Sequence, residues 1–276
     1  MKINSREGEG PDLNKRYHIT GHPTVIMLRP DGSEVDRIIG FAPPEEYLPE
    51  LNRIQAGDNT FESLSKQVAE DPDDLEATLL LANKFDERGM YAEATGSWQS
   101  VVRLAPEQSE EDQLGRFKIA EADAMIDTAA APLLAYLNEY PGSVHLSGVY
   151  RSLRRVYYHN QDTLAEAASY KKLVEHEIHE GSESPYLLNG YAWRMTQLEQ
   201  NLKDALLKIR KAVLLVAEKE AEDRTQMMDT EAEVLWKLGR TEEAVSVIDA
   251  CIELQPEDEY LKEQRAKFLG EVAAQE

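Results

Sequence analysis

Cysteine is almost absent. Of 276 residues only Cys251 carries a thiol, so an intrachain disulfide, a CxxC redox pair and a thiolate zinc cage are all excluded. Cations are scarce too: 30 Lys and Arg stand against 52 Asp and Glu, a formal charge of −22. Such a surface lacks the positive potential that a phosphate backbone or an anionic membrane face requires, so no nucleic-acid partner is expected. Long apolar runs are missing. The longest, Ala212 to Ala217, is far short of the roughly 20 residues that cross a bilayer, and no membrane insertion is expected. The opening segment has no apolar stretch of the kind an export signal needs. With 42% hydrophobic and 30% charged residues, the remainder describes a foldable, soluble, acidic protein with a real core.

Proline and glycine are also depleted, but only after residue 57. Residues 1–57 hold half of the prolines and six of the 15 glycines. Breakers at that density impose short elements, and their absence afterwards permits helix after helix. Charge divides at the same place, about −2 before the boundary and about −20 after it. Two domains are expected, 1–57 and 58–276.

In the first, Thr24 to Leu28 and Glu34 to Ile39 are β-branched runs joined by Arg29-Pro30-Asp31-Gly32, which predicts a hairpin. Pro43 and Pro44 then introduce a helix to Ala56, which Gly57 ends. Lys2-Ile3-Asn4, Leu13-x-x-x-Tyr17-x-Ile19-x-Gly21-x-Pro23-Thr24, Pro30-Asp31-Gly32, Arg37-Ile38-Ile39-Gly40 and the Pro44-Glu45-Glu46 helix together resemble the C-terminal half of a thioredoxin fold. The resemblance covers about fifty residues. It implies a strand end at Lys2–Asn4, a cis bond before Pro23, and a substrate-contact role for the loop His22, Pro23 and Thr24. The plain alternative for that loop is a conformation set by folding. The half that carries a CxxC has no residues here, so either the gene start lies upstream or this is a degenerate half-domain.

From residue 58 onward the chain repeats itself. Pro72, Pro106 and Pro141 are spaced 34 and 35 apart, the tetratricopeptide (TPR) period. The ladder Thr78, Leu81, Ala82, Phe85, Gly89, Ala94, Trp98, Leu104, Pro106 resembles that motif. It recurs 150 residues on as Met228, Glu231, Ala232, Leu235, Gly239, Ala244, Ile248, Leu254, Pro256. Four periods account for all but about fourteen of those 150 residues, so three weaker repeats are expected in between. Glu177–Ser184 and Glu218–Arg224 are polar enough to hold most of the excess. Second-helix anchors there are Ala167 or Ala168 with Tyr170, and Ala205 with Ile209 and Ala212. A capping helix is expected from Asp258 to about Ala274. The helix ending at Ala56 and the next, capped by Thr60, are expected to form an antiparallel hairpin across Gly57-Asp58-Asn59. The fold class is therefore mainly α: a TPR-type α-solenoid of about five helix-turn-helix repeats, preceded by an incomplete thioredoxin-like hairpin and helix.

Candidate sites follow. Arg151, Arg154 and Arg155, with Tyr150, Tyr157, Tyr158 and His159, form a cationic and aromatic knot in an acidic array. If the first helix of each repeat lines the concave surface, these side chains suit a peptide carboxylate and its aromatic groups. The alternative is neutralisation by neighbouring acids. Asn83, Lys118, Asn189 and Trp193 fall at or near equivalent inner positions. His176-Glu177-Ile178-His179-Glu180 spaces its histidines at i and i+3, whereas a zinc helix needs i and i+4, so it reads as an acidic helix end. Cys251 sits at a small-residue position and reads as inert core. No residue reads as catalytic, and no metal or cofactor is expected.

The leading expectation is a non-enzymatic interaction scaffold for a protein or peptide partner, with a redox-inactive remnant at its N-terminus. The alternative is a fragment of a thioredoxin-family thiol-disulfide oxidoreductase whose CxxC lies upstream of Met1 and whose repeats recruit substrates. A start at Met1 implies the cytoplasm, and an upstream signal segment implies export.

Overall fold

Among residues 3–270, which the computed structural model describes, turn chemistry and helix caps fix the boundaries of fourteen helices and two strands. Two units divide the chain, Met1–His145 and Leu146–Glu276.

The first unit contains α1 (Gly10–Arg16), β1 (Thr24–Leu28), β2 (Glu34–Ile39), α2 (Pro44–Ala56), α3 (Phe61–Glu70), α4 (Leu75–Glu87), α5 (Tyr91–Leu104), α6 (Glu110–Asp127) and α7 (Ala131–Glu139). The two strands pair antiparallel, Val25 opposite Ile38 and Met27 opposite Asp36, with a bulge at Met27/Leu28. Their turn closes through the Gly32 N–H on the Arg29 carbonyl, while the Asp31 carboxylate accepts from the Ser33 N–H. The His22–Pro23 bond is cis.

Two expectations for this unit fail. Ile3 and Asn4 belong to no strand, and Lys2 lies outside the described residues. Asn4 instead turns the chain toward α1, its Oδ1 accepting from the Arg6 N–H at 3.0 Å. Nor do α2 and α3 pack as an antiparallel hairpin: α2 rests on β2, whereas α3 lies against α4 and β2. The turn between them is bound by Arg53, whose guanidinium donates to the Asp58 and Asn59 carbonyls. Thr60 does cap α3, in a reciprocal arrangement with Ser63.

Two helix pairs follow, α4/α5 and α6/α7. Asp74 and Ser109 cap their first helices. Ala82, Ala94, Trp98 and Val101 form one buried cluster, and Leu64, Ala77 and Leu81 another. The small residues sit where helices approach closely and Trp98 fills the space beside them, as the ladder predicts.

The second unit contains α8 (Leu146–His159), α9 (Thr163–His179), α10 (Pro185–Leu198), α11 (Leu202–Leu215), α12 (Ala221–Lys237), α13 (Thr241–Leu254) and α14 (Glu259–Leu269). Three pairs, α8/α9, α10/α11 and α12/α13, follow, and one core runs from α9 to α14 with Tyr150 of α8 packed against it. It includes Ala167, Tyr170, Ala205, Ile209, Ala212, Ala232, Ala244 and Ile248. With the two pairs of the first unit this makes five TPR-like repeats. The two segments expected to hold the excess are divided between loop and helix: residues 180–184 and 218–220 lie between helices, while Glu177–His179 form the last turn of α9 and Ala221–Arg224 the first of α12. The final helix ends at Leu269 on a left-handed Gly270; the expected extension toward Ala274 lies outside the described residues.

Candidate protein-binding site

Helix α8 repeats apolar residues at helical spacing, burying Val149, Leu153 and Val156 and turning Arg151 and Arg155 outward, with Arg154 half-buried between the two faces. The three arginines meet different fates. Arg151 is paired with Glu177 at 2.8 Å, so for this residue the neutralising alternative holds. Arg154 lies flat over the Tyr170 ring, 4.5 Å from its centroid, and among the described residues it has no carboxylate partner and its buried Nε no hydrogen bond. Burial raises the Tyr170 pKa, and the Arg154 charge opposes that rise. Arg155 is exposed.

Tyr158 is 56% exposed, and the Arg194 guanidinium sits 5.2 Å from its ring centroid. Arg194 is held there by two 2.8 Å bonds to the buried carboxylate of Glu166. A bidentate anchor of this kind fixes the plane of the guanidinium and, through it, the aromatic surface above. Sequence reasoning missed both Arg194 and Glu166. They lie 28 positions apart, and only the packing of α9 on α10 brings them together.

On α10, Asn189 and Trp193 are one turn apart and share a face. Trp193 is 39% exposed, unlike its buried neighbour Tyr191, whose hydroxyl donates to Asp204. The Oδ1 of Asn189 is buried without a partner. α8 and α10 thus carry a cation with no carboxylate partner among the described residues, an amide whose buried oxygen is unbonded and two half-exposed aromatic rings. An extended polypeptide can satisfy all three kinds of group, because it carries carboxylates, backbone N–H groups and side-chain carbon.

In the first unit the sequence-derived residues are already engaged. Asn83 donates to the Leu79 carbonyl within α4. Lys118 bridges Asp86 and Glu121, and its pKa is raised because those two carboxylates outweigh its burial. In the cis-proline loop, the Thr24 hydroxyl and the His22 ring both donate to the Gly21 carbonyl at 2.7 Å. Those two contacts are local and hold the loop's own shape.

A buried charge cluster, absent from the sequence reading, lies between the hairpin and the helix pairs of this unit. The Asp36 carboxylate takes bonds from Arg53, Lys84 and Arg88, while Glu34 takes bonds from Arg37 and Arg88. The Arg88 guanidinium also stacks on Phe61 at 4.2 Å. Beside the cluster is a cleft of about 510 Å³ whose cations are Arg37 and Lys84. Both already serve the cluster's own carboxylates, and Glu50, Asp86 and Glu87 also line the cleft, so it offers no charge to an anion.

His176 and His179 end α9, where the His176 ring packs edge-on to Tyr150. Among the described residues no three His, Cys, Asp or Glu side chains come together to hold a metal. Cys251 is fully buried, its pKa pushed up to about 12 by that burial and by Asp229 and Glu231. No described helix is long and apolar enough to cross a membrane.

No family model and no curated protein matches the chain. Among solved structures it is similar to YrrB, described as a TPR protein with an unusual peptide-binding site, at 13% identity and a TM-score of 0.49, covering 74% of this chain and 97% of that one. It is similar also to a TPR protein from Parabacteroides merdae ATCC 43184, at 18% identity and a TM-score of 0.47, covering 71% and 72%. BtubC from P. vanneervenii aligns at 14% identity and a TM-score of 0.48, covering 78% and 91%. The TPR-like fold itself rests on the five helix pairs and on the recurring small-residue ladder that packs them.

Proposed function

We propose that this chain is a non-enzymatic interaction scaffold whose second unit binds an extended, acid-bearing segment of another protein across α8 and α10. The observation that carries this reading is Arg154. In a chain with 22 excess negative charges its guanidinium meets no carboxylate among the described residues, yet it is held in one place by Tyr170. A cation fixed on an aromatic face loses little side-chain freedom when it binds an anion. Arg155 adds long-range attraction, Tyr158 and Trp193 supply carbon surface, and Asn189 suits a backbone amide.

In the same reading, residues 58–276 are the repeat array and residues 1–57 a redox-inactive thioredoxin-like remnant. The order of cis-proline loop, hairpin and α2 supports the latter. A pull-down with folded Arg154→Glu protein tests the site. Charge-assisted bonds contribute roughly 1.5–3 kcal/mol, so partners retained by the parent should be weakened about tenfold or more. Unchanged partners at unchanged affinity would remove Arg154 from the site.

A further inference from the structure

Helix α11 turns one face inward, burying Ala205, Leu206, Ile209 and Ala212, and leaves the opposite face uncovered. On that face Leu207 is 70% exposed and Leu214 76%, with Leu215 beside them at 43%. A single exposed leucine is ordinary on a protein surface. Here two lie seven residues apart, and at about 100° per residue seven residues return to nearly the same line along the helix. The helix backbone is bonded within itself, so what α11 offers a partner is this line of side chains.

Cations flank the line. By the same helical spacing Lys203 and Arg210 fall on one side of it and Lys208 and Lys211 on the other. Asp204, the one acid of the helix, accepts from the Tyr191 hydroxyl. Arg210 is paired with Glu231 and Lys211 with Glu183, whereas Lys203 and Lys208 meet no carboxylate among the described residues. The next helix pair is the reverse: α12 has five acids and two cations, and α13 has four acids and no cation.

This pattern selects the occupant. Leucines at a seven-residue spacing, with charge along both sides, form a surface on which a second helix packs, its apolar residues between the leucines and its charges against the flanks. Those charges have to be carboxylates. A second copy of α11 would bring cations to cations, and each acidic helix of this chain shows at most one exposed large apolar side chain among the described residues, such as Leu48 on α2 or Ile126 on α6. A second copy therefore does not match. An anionic bilayer approaches as a plane and meets the whole charge of −22, whereas a helix seated on α11 lies within the screening length of about 8 Å from its lysines. From this we infer that the exposed face of α11 docks an acidic amphipathic helix of another protein, a surface additional to the one across α8 and α10.

The probe is a fluorescein-labelled synthetic helix with leucines in a seven-residue pattern and glutamates on both flanks, read by anisotropy against the full chain. A second peptide carries lysine at each glutamate. The acidic peptide should bind, more weakly as salt rises, and the lysine peptide should not. Leu207→Ser and Leu214→Ser alter exposed side chains, so the variants should melt like the parent, and each should weaken the acidic peptide about tenfold or more. Arg154→Glu should leave its affinity unchanged, which separates this surface from the one across α8 and α10. A further readout needs no variant: in methyl spectra of the parent the peptide should shift Leu207 and Leu214 and spare the buried Leu188. No binding of the acidic peptide, equal binding of the lysine peptide, or methyl shifts confined to other residues overturns the inference. So does binding that Arg154→Glu abolishes and Leu207→Ser leaves intact. Capture of the parent by phosphatidylserine vesicles, lost in Leu214→Ser, overturns it as well and gives the face to a membrane.

Discussion

Asp36 on β2 and Arg88 after α4 meet at 2.9 Å with both side chains sealed from solvent, fastening the hairpin to the first helix pair. Burial alone would raise the Asp36 pKa, but bonds from Arg53, Lys84 and Arg88 hold it below its ordinary value of 3.8. The two residues are 52 positions apart, so this one contact closes a long stretch of chain.

Removing one partner of a buried pair strands the other charge, which costs about 3–5 kcal/mol. Asp36→Ala should therefore lower the denaturant midpoint strongly, since it leaves Arg88 buried with fewer acids. Arg88→Met should cost less, because Asp36 keeps Arg53 and Lys84. The double substitution should lose less than the two singles added together. A lowered carboxylate pKa contributes stability above the unfolded value, which is lost as pH falls through the folded one. Acid should thus loosen the hairpin only below about pH 3.8. An Asp36→Ala protein that unfolds at the parent's midpoint refutes the role given to this cluster.

Ala94 is 2% exposed in α5, in one cluster with Ala82 and Trp98. Leucine there has no space to enter, and overpacking costs about 1–3 kcal/mol. The same substitution at the exposed position Glu93 should stay within about 0.5 kcal/mol of the parent. Thermal melts of the two variants decide it, and an Ala94→Leu protein that melts with the parent rejects this packing register.

Cys251 is sealed in the second-unit core with its pKa near 12. Relative to an ordinary thiol at 9.0, about a thousandfold less thiolate is present near neutral pH, because each unit is tenfold. A thiol-specific chromogenic reagent should leave the native protein unlabelled over the time in which it labels one thiol per chain in denaturant. Rapid labelling of native protein would contradict the burial.

The repeats that sequence reasoning found most easily are those whose turns are built on glycine. Gly89 and Gly239 lie 150 positions apart and both take positive φ, where a residue without Cβ has no steric cost. In the three pairs between them, Thr128, Gln161 and Asn201 adopt the same region, so the backbone repeats where the motif does not. Two helix starts read from the sequence, Thr60 and Asp258, cap through their own side chains, and Asp74, Ser109 and Asp162, which the sequence reading passed over, do the same. The candidate site was only half legible. Arg154 and Trp193 show in the residue string as a cation and a ring at inner positions, but whether a cation is paired depends on distant partners. Glu177 takes Arg151, Asp86 and Glu121 take Lys118, and among the described residues no carboxylate takes Arg154. The Asp36 cluster was invisible because Arg53, Lys84 and Arg88 reach Asp36 from α2, α4 and the turn after α4, and no local spacing ties any of them to β2.

Asp229 on α12 supplies a last prediction, with its sign set by burial. Its Oδ2 accepts from the Tyr260 hydroxyl at 3.1 Å, while its Oδ1 is buried without a partner. Burial raises its pKa to about 6. Glu233 and Asp258 add to the rise, and the Tyr260 bond and Lys267 oppose it. The folded state therefore holds this proton more tightly than the unfolded chain, whose carboxyl titrates near 3.8. Stability from this group is present at low pH, falls between about pH 4 and pH 6, and is level above that. Asp229→Asn keeps an acceptor for Tyr260 but removes the charge, so it escapes the fall. The variant should match the parent near pH 4 and exceed it by about 1–3 kcal/mol at neutral pH. Denaturant unfolding of both proteins at several pH values measures the difference, in which the other carboxyls cancel. A difference that stays flat, or narrows as pH rises, would show that Asp229 titrates as an ordinary acid.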